Sequence, residues 1–172
     1  MANSWLHTMD THGLTPLDRA FASGHMSIAE LMLRQEKEDQ SEALKGSTPL
    51  HRAAYLGLTE AVQSLLTYGA DPLAVDRQGE TALHKAVRKG HLSIVKLLIG
   101  RSDVEAASHI GMTALHWAAA TGNLEMVKIL LVHGADPTRE DEYIDNLCSV
   151  SLAGKMGYKE LETYFHAREI YV

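Results

Sequence analysis

Three kinds of residue in this chain could do chemistry: ten histidines, a short acidic run and a single cysteine. His51, His84 and His116 recur at intervals of 33 and 32 residues. Three imidazoles can hold a zinc ion, but only with each nitrogen about 2 Å from the metal. Residues one structural unit apart in a helical stack are separated by about 10 Å, so these three cannot share one ion. Each is instead expected to hydrogen-bond the backbone of a neighbouring loop. His7, His12, His25, His91, His109, His133 and His166 form no H-E-x-x-H pattern and have no cysteine pair beside them, so they are expected to be scattered over the surface. The run Glu140, Asp141, Glu142, Asp145 lacks the alternating order and central glycine of a calcium loop. Cys148 has no nucleophile signature around it and reads as a buried structural thiol. No glycine-rich phosphate loop occurs. The chain is therefore expected to have no catalytic residue, no metal and no cofactor, and not to be an enzyme.

Composition narrows the remaining classes. Of the 172 residues, 45% are apolar and 22% charged, with four prolines, which is the balance of a folded soluble chain. A net charge of −6 argues against a nucleic-acid partner, which calls for a basic patch or stripe. One cysteine excludes an internal disulfide framework and points to a reducing compartment, the cytoplasm or nucleus. No basic leader followed by an apolar run opens the sequence, and no stretch of 18 apolar residues occurs, so neither secretion nor a membrane span is expected.

The elements that must position these residues repeat. Gly13-Leu-Thr-Pro-Leu-Asp, Gly46-Ser-Thr-Pro-Leu-His, Gly79-Glu-Thr-Ala-Leu-His and Gly111-Met-Thr-Ala-Leu-His step by 33, 33 and 32 residues. A second glycine follows eleven positions later in each, at Gly24, Gly57, Gly90 and Gly122. Thr15, Thr48, Thr81 and Thr113 stand where a hydroxyl can cap a helix. Pro16 and Pro49 suit the first helical position, where a missing N–H costs nothing. The second glycines suit a left-handed helix end. Ala20, Ala53, Ala86 and Ala118 fall where adjacent helices must approach closely. Second helices follow in Ile28 to Leu33, Ala61 to Leu66, Ile94 to Ile99 and Met126 to Leu131, with apolar residues three and four apart. Gly69-Ala-Asp-Pro and Gly134-Ala-Asp-Pro turn the chain onward; the third unit has Ser102-Asp-Val-Glu instead and is one residue short. A degraded fifth unit lays Asn146 to Ala153 over Gly46 to Ala53, with Cys148 in the threonine place and Gly157 as its second glycine.

This phrase and period resemble the ankyrin repeat family closely, over about Met9 to Pro137. The resemblance implies an all-α solenoid of stacked helix-turn-helix units, ten helices in five pairs, filling one domain over residues 1–172. The repeats run approximately 10–42, 43–75, 76–107, 108–142 and 143–172, the first and last being caps. The charge-rich segment Arg34 to Lys45 and the acidic segment Thr138 to Asp145 read as loops between units.

In that family the loop tips and the exposed side of the first helices form a concave binding face. Carried over residue by residue, this selects Leu44, Lys45, Ser47, Tyr55 and Leu56 in the second unit. It selects Val75, Arg77, Gln78, Glu80, Arg88 and Lys89 in the third. It selects His109, Ile110, Met112, Ala120 and Thr121 in the fourth. Trp117 shares its place with Arg19, Arg52 and Lys85. A place that holds charge elsewhere is not expected in the deep core, so Trp117 is expected at the margin of the face. Residues 79–110 carry net +2, whereas 111–145 carry −4 and 1–45 carry −3, so the middle is a basic island. The implied partner is another protein bound by a monomeric chain acting as adaptor, scaffold or inhibitory subunit. Regulatory inhibition of a kinase or other enzyme, and regulation through a small ligand or nucleic acid, are the alternatives. Arg88 and Lys89, taken as exposed, are expected to be replaceable without loss of stability.

Overall fold

The computed structural model describes residues 8, 10, 11, 15–23, 25, 27–29, 31–32, 47–140 and 147–168, with residues 18, 21 and 22 in backbone only. Nine α-helices are defined among the described residues: α1 (Pro16–Ala22), α2 (Pro49–Leu56), α3 (Thr59–Thr67), α4 (Ala82–Lys89), α5 (Leu92–Leu98), α6 (Ala114–Ala120), α7 (Leu124–Val132), α8 (Ser149–Met156) and α9 (Lys159–Ala167). Backbone at 27–29 and 31–32 is also helical, in the place expected for the partner of α1. The β pairing among the described residues consists of isolated bridges between Ala107 and Thr113 and between Glu140 and Cys148. Leu44, Lys45, the expected loop Arg34 to Lys45, and residues 141–145 of the expected loop Thr138 to Asp145 lie outside the described residues.

The first helices of the second, third and fourth units start on the same device. The Thr48 N–H donates to His51 Nδ1 at 3.3 Å, and its hydroxyl lies 2.8 Å from the same nitrogen. Nδ1 thus accepts, which leaves the proton on Nε2. His51 Nε2 donates it to the Glu80 carbonyl of the next loop at 2.9 Å. His116 repeats the arrangement with Thr113 and reaches the Leu147 carbonyl at 3.2 Å. His84 bonds Thr81 likewise, through Nδ1 at 3.1 Å from the Thr81 N–H. Its buried Nε2 has no acceptor at bonding distance, although the Met112 and Ala106 carbonyls act on the ring. The loop that His84 must reach is the one shortened by a residue. In the fifth unit Cys148 caps α8 through sulfur, accepting from the Ser151 N–H at 3.4 Å, and is 1% exposed.

Left-handed glycines end these helices. Gly57 has φ 79°, and a Cβ there would lie 2.6 Å from the His91 ring of the next unit. That ring bonds the Tyr55 carbonyl through Nε2 at 3.1 Å, so the glycine makes room for a tie between repeats. Gly122 does the same for Tyr158, whose ring would stand 2.6 Å from a Cβ.

Packing follows the alanine positions. Ala20, Ala53, Ala86, Ala118 and Ala153 are all buried, and α1, α2, α4, α6 and α8 touch in sequence as one row. The second helices meet one another far less closely. A stack whose first helices approach more tightly than its second helices bends towards the first-helix side, which becomes the concave one. Between the rows, Leu50, Leu83, Leu115, Val62, Val95, Val127, Leu98 and Leu130 are fully buried. Each contributes about 1.5–3 kcal/mol of apolar transfer. The core runs from unit to unit with no break, as the repeating pattern predicts.

The loops keep their turn chemistry even where the motif changes. Asp71, Asp103 and Asp136 each accept the N–H two residues on, at 2.9, 2.9 and 2.8 Å. Ser102-Asp103 therefore keeps the turn that Gly-Ala-Asp makes elsewhere.

Candidate functional site

The C-terminal halves of the first helices carry the site. Tyr55 stands two residues before Gly57 and Arg88 two before Gly90, so they hold the same place on adjacent helices. Trp117 stands one turn earlier on α6. The Arg88 guanidinium carbon lies 5.9 Å from the centre of the Tyr55 ring and 5.1 Å from that of Trp117. Lys89 places its ammonium 4.4 Å from the centre of the Tyr55 ring. Three successive units thus contribute one run of aromatic, cation and aromatic, with a second cation at its edge. Contacts of this kind contribute about 0.5–1 kcal/mol each at exposed sites. The approach of Lys89 to the Tyr55 hydroxyl, and then its charge, hold the phenol below its usual pKa.

Arg88 is fixed from beneath. Its guanidinium donates to Glu80 at 3.2 Å. Glu80 also pairs with Lys85, whose ammonium lies 2.5 Å from Asp76. Asp76 in turn accepts the N–H groups of Gln78 and Glu80 at 2.9 and 3.0 Å. Burial alone would raise the Asp76 carboxyl, but Lys85 and these two donors outweigh it and hold it below its ordinary value. The four side chains sum to zero charge: Asp76 and Glu80 against Lys85 and Arg88. Such a network stays inside a fold only because every member has a partner.

The expected binding residues divide into three sets. Arg77, Gln78, Lys89, His109, Val75 and Thr121 are exposed, as are Tyr55, Leu56 and Ile110 at about two-fifths of their surface. Ser47, Arg88, Trp117 and Ala120 are half-buried. Glu80 and Met112, expected on the open face, are each 3% exposed. Both follow a turn glycine, and their carbonyls accept the N–H of Asp76 and Ser108 at 3.0 Å across the loop. Closing the loop this way turns their side chains under the tip, away from solvent. Lys85 is a second correction. It is 8% exposed although its place holds arginine in two other units, because Asp76 and Glu80 neutralise it. The available signal was a carboxylate at 80 and a lysine at 85 occurring in the same unit.

The loop tips join one another as well. The His109 N–H donates to the Gln78 carbonyl at 2.8 Å, and its ring covers Gly79. His109 is thus both a tip residue and a tie to the unit before it. Among the described residues no group of three or more His, Cys, Asp or Glu could hold a metal ion, and no helix is long and apolar enough to cross a membrane.

The family model described as ankyrin repeats in three copies matches residues 2–76 and 50–141. No curated protein matches the chain.

Proposed function

The chain belongs to the ankyrin-repeat family, whose repeats are protein-interaction modules, and from that premise we propose that it is an adaptor binding a partner protein on its concave face. The observation that carries this proposal is the run Tyr55, Arg88, Trp117 with Lys89 beside it. It spans three units, reaches solvent, and uses tyrosine, tryptophan and arginine, the residue types that dominate binding energy in interfaces. Tyr55 and Lys89 serve no core or cap. Arg88 is held in place before any partner arrives, which lowers the ordering cost of association. Among the described residues the opposite side has one comparable cluster, Tyr164 with Lys128 and Arg168 at 5.7 and 5.1 Å, built from α7, α9 and the residue that ends α9.

The test is capture from a native lysate by the wild-type chain, run beside Tyr55→Ala with Lys89→Ser. Proteins lost only with the variant, at unchanged melting temperature, support the concave face. Identical capture by both chains would place binding elsewhere. An inhibitory role would show as loss of a captured enzyme's activity on adding the chain, and an adaptor role as retention of that activity.

A further inference from the structure

Among the described residues, the charges on the concave face have one sign once the internal pairs are subtracted. Asp76 and Glu80 are consumed by Lys85 and Arg88. Among the described residues no carboxylate pairs with Lys89 or Arg77, and both are exposed. The chain as a whole carries −6, so a local excess of +2 on this face stands against the background of the molecule. Beside these cations lie Tyr55, Leu56 and Ile110, each about two-fifths exposed.

We propose that the occupant of this face is an acidic, extended segment of a partner protein, with carboxylates on Lys89 and Arg77 and an apolar side chain on Tyr55 and Leu56. This rests on the concave-face binding proposed above and adds the chemistry of the ligand. Lys89 closes α4 and Arg77 precedes its start. At 1.5 Å per residue α4 itself is about 12 Å long, and Arg77 lies in the loop beyond its start. An extended chain covers that length in about four residues. Acidic residues spread along an extended segment, rather than adjacent to one another, therefore match the two cations. Arg88 cannot supply a full charge to the ligand because Glu80 already holds it; its part is to keep the two rings apart and level. A nucleic acid fits worse. Its affinity depends on neutralising many phosphates, and the described residues of this face offer two cations without a carboxylate partner on an acidic molecule.

The experiment is a selection of random twelve-residue peptides displayed on phage against the full chain at low salt, repeated with Arg77→Ser/Lys89→Ser and with Tyr55→Ala. Wild type should enrich peptides rich in Asp and Glu. A synthetic peptide from that set should bind the Arg77/Lys89 variant roughly tenfold or more weakly, and its wild-type affinity should fall as salt rises. Circular dichroism and melting of each variant must match wild type; Arg77→Gln/Lys89→Gln is the fallback if the serine pair unfolds. Enrichment of neutral or basic peptides that still requires Tyr55 would overturn the charge assignment and leave concave-face binding standing. Enrichment of acidic peptides that is unchanged in both variants would overturn the site. Failure to enrich any peptide would overturn both. A single-stranded oligonucleotide that binds wild type more tightly than the selected peptide, and loses that binding in the Arg77/Lys89 variant, would overturn the choice of a protein ligand.

Discussion

The Arg88 guanidinium lies 5.1 Å from the centre of the Trp117 ring and 3.2 Å from the Glu80 carboxylate. One side chain therefore joins the concave face to the buried charge network under the loop tip. The same guanidinium also faces Tyr55.

Arg88 and Lys89 should differ in what they do for stability, against the expectation that both are ordinary surface charges. Arg88→Ser removes one partner of a carboxylate that is 3% exposed. Leaving a buried charged group short of a bond costs about 1–3 kcal/mol. Lys89→Ser removes an exposed cation with no carboxylate partner and should leave the urea midpoint close to wild type. Equilibrium unfolding of the two single variants decides this. Equal midpoints would mean that Glu80 does not depend on Arg88.

Stability should fall in mild acid. Burial, above all other causes, pushes His51 and His84 below the ordinary imidazole value of 6.5. In the unfolded chain both take up protons near 6.5, whereas in the folded chain they stay neutral to lower pH. The unfolded state then binds more protons, so their contribution is complete above 6.5 and is lost as pH falls from there through the folded values. The slope is at most about 1.4 kcal/mol per pH unit for each histidine. Urea unfolding near neutrality and again about one to two pH units lower should show the decline. Stability that is flat or rises over that interval would mean that the rings are charged inside the fold. Asp76 adds a further loss only once the pH nears or passes below 3.8.

The fold was legible in the sequence because its signals are local. Thr48, Thr81 and Thr113 with His51, His84 and His116 fix helix starts, and Gly57, Gly90 and Gly157 fix helix ends, each at an invariant offset. The register of Tyr55 and Arg88 was legible for the same reason. The burial of Glu80 and Met112 was not. Their place holds serine, glutamate and methionine in successive units, and such variety reads as freedom from packing. The constraint is a pairing with the first helix: Arg52 bonds the Ser47 carbonyl at 3.3 Å, and Lys85 pairs with the Glu80 side chain. A pattern of single positions conceals that; the loop geometry that brings 80 against 85 reveals it.

Lys89 should leave a signature on the ionisation of Tyr55. Its ammonium favours the phenolate, so Tyr55 should ionise below the ordinary value of 10.0. Carbon-13 labelling at tyrosine Cζ allows each ring to be titrated by NMR. Lys89→Gln should move the Tyr55 midpoint upward, because the positive charge beside the phenol is removed. An unchanged midpoint would mean that the two side chains do not meet in solution.

The most direct test is a chemical-shift map of the nitrogen-15-labelled chain, titrated with an acidic twelve-residue peptide from the selection. The backbone amides of Tyr55, Leu56, Arg77 and Lys89 and the indole N–H of Trp117 should move together and saturate at one peptide concentration. Those of α3, α5 and α7 should stay in place, and the shifts should collapse as salt is raised. Shifts centred on the second helices or around Tyr164, with Tyr55, Lys89 and Trp117 unmoved, would contradict binding on the concave face.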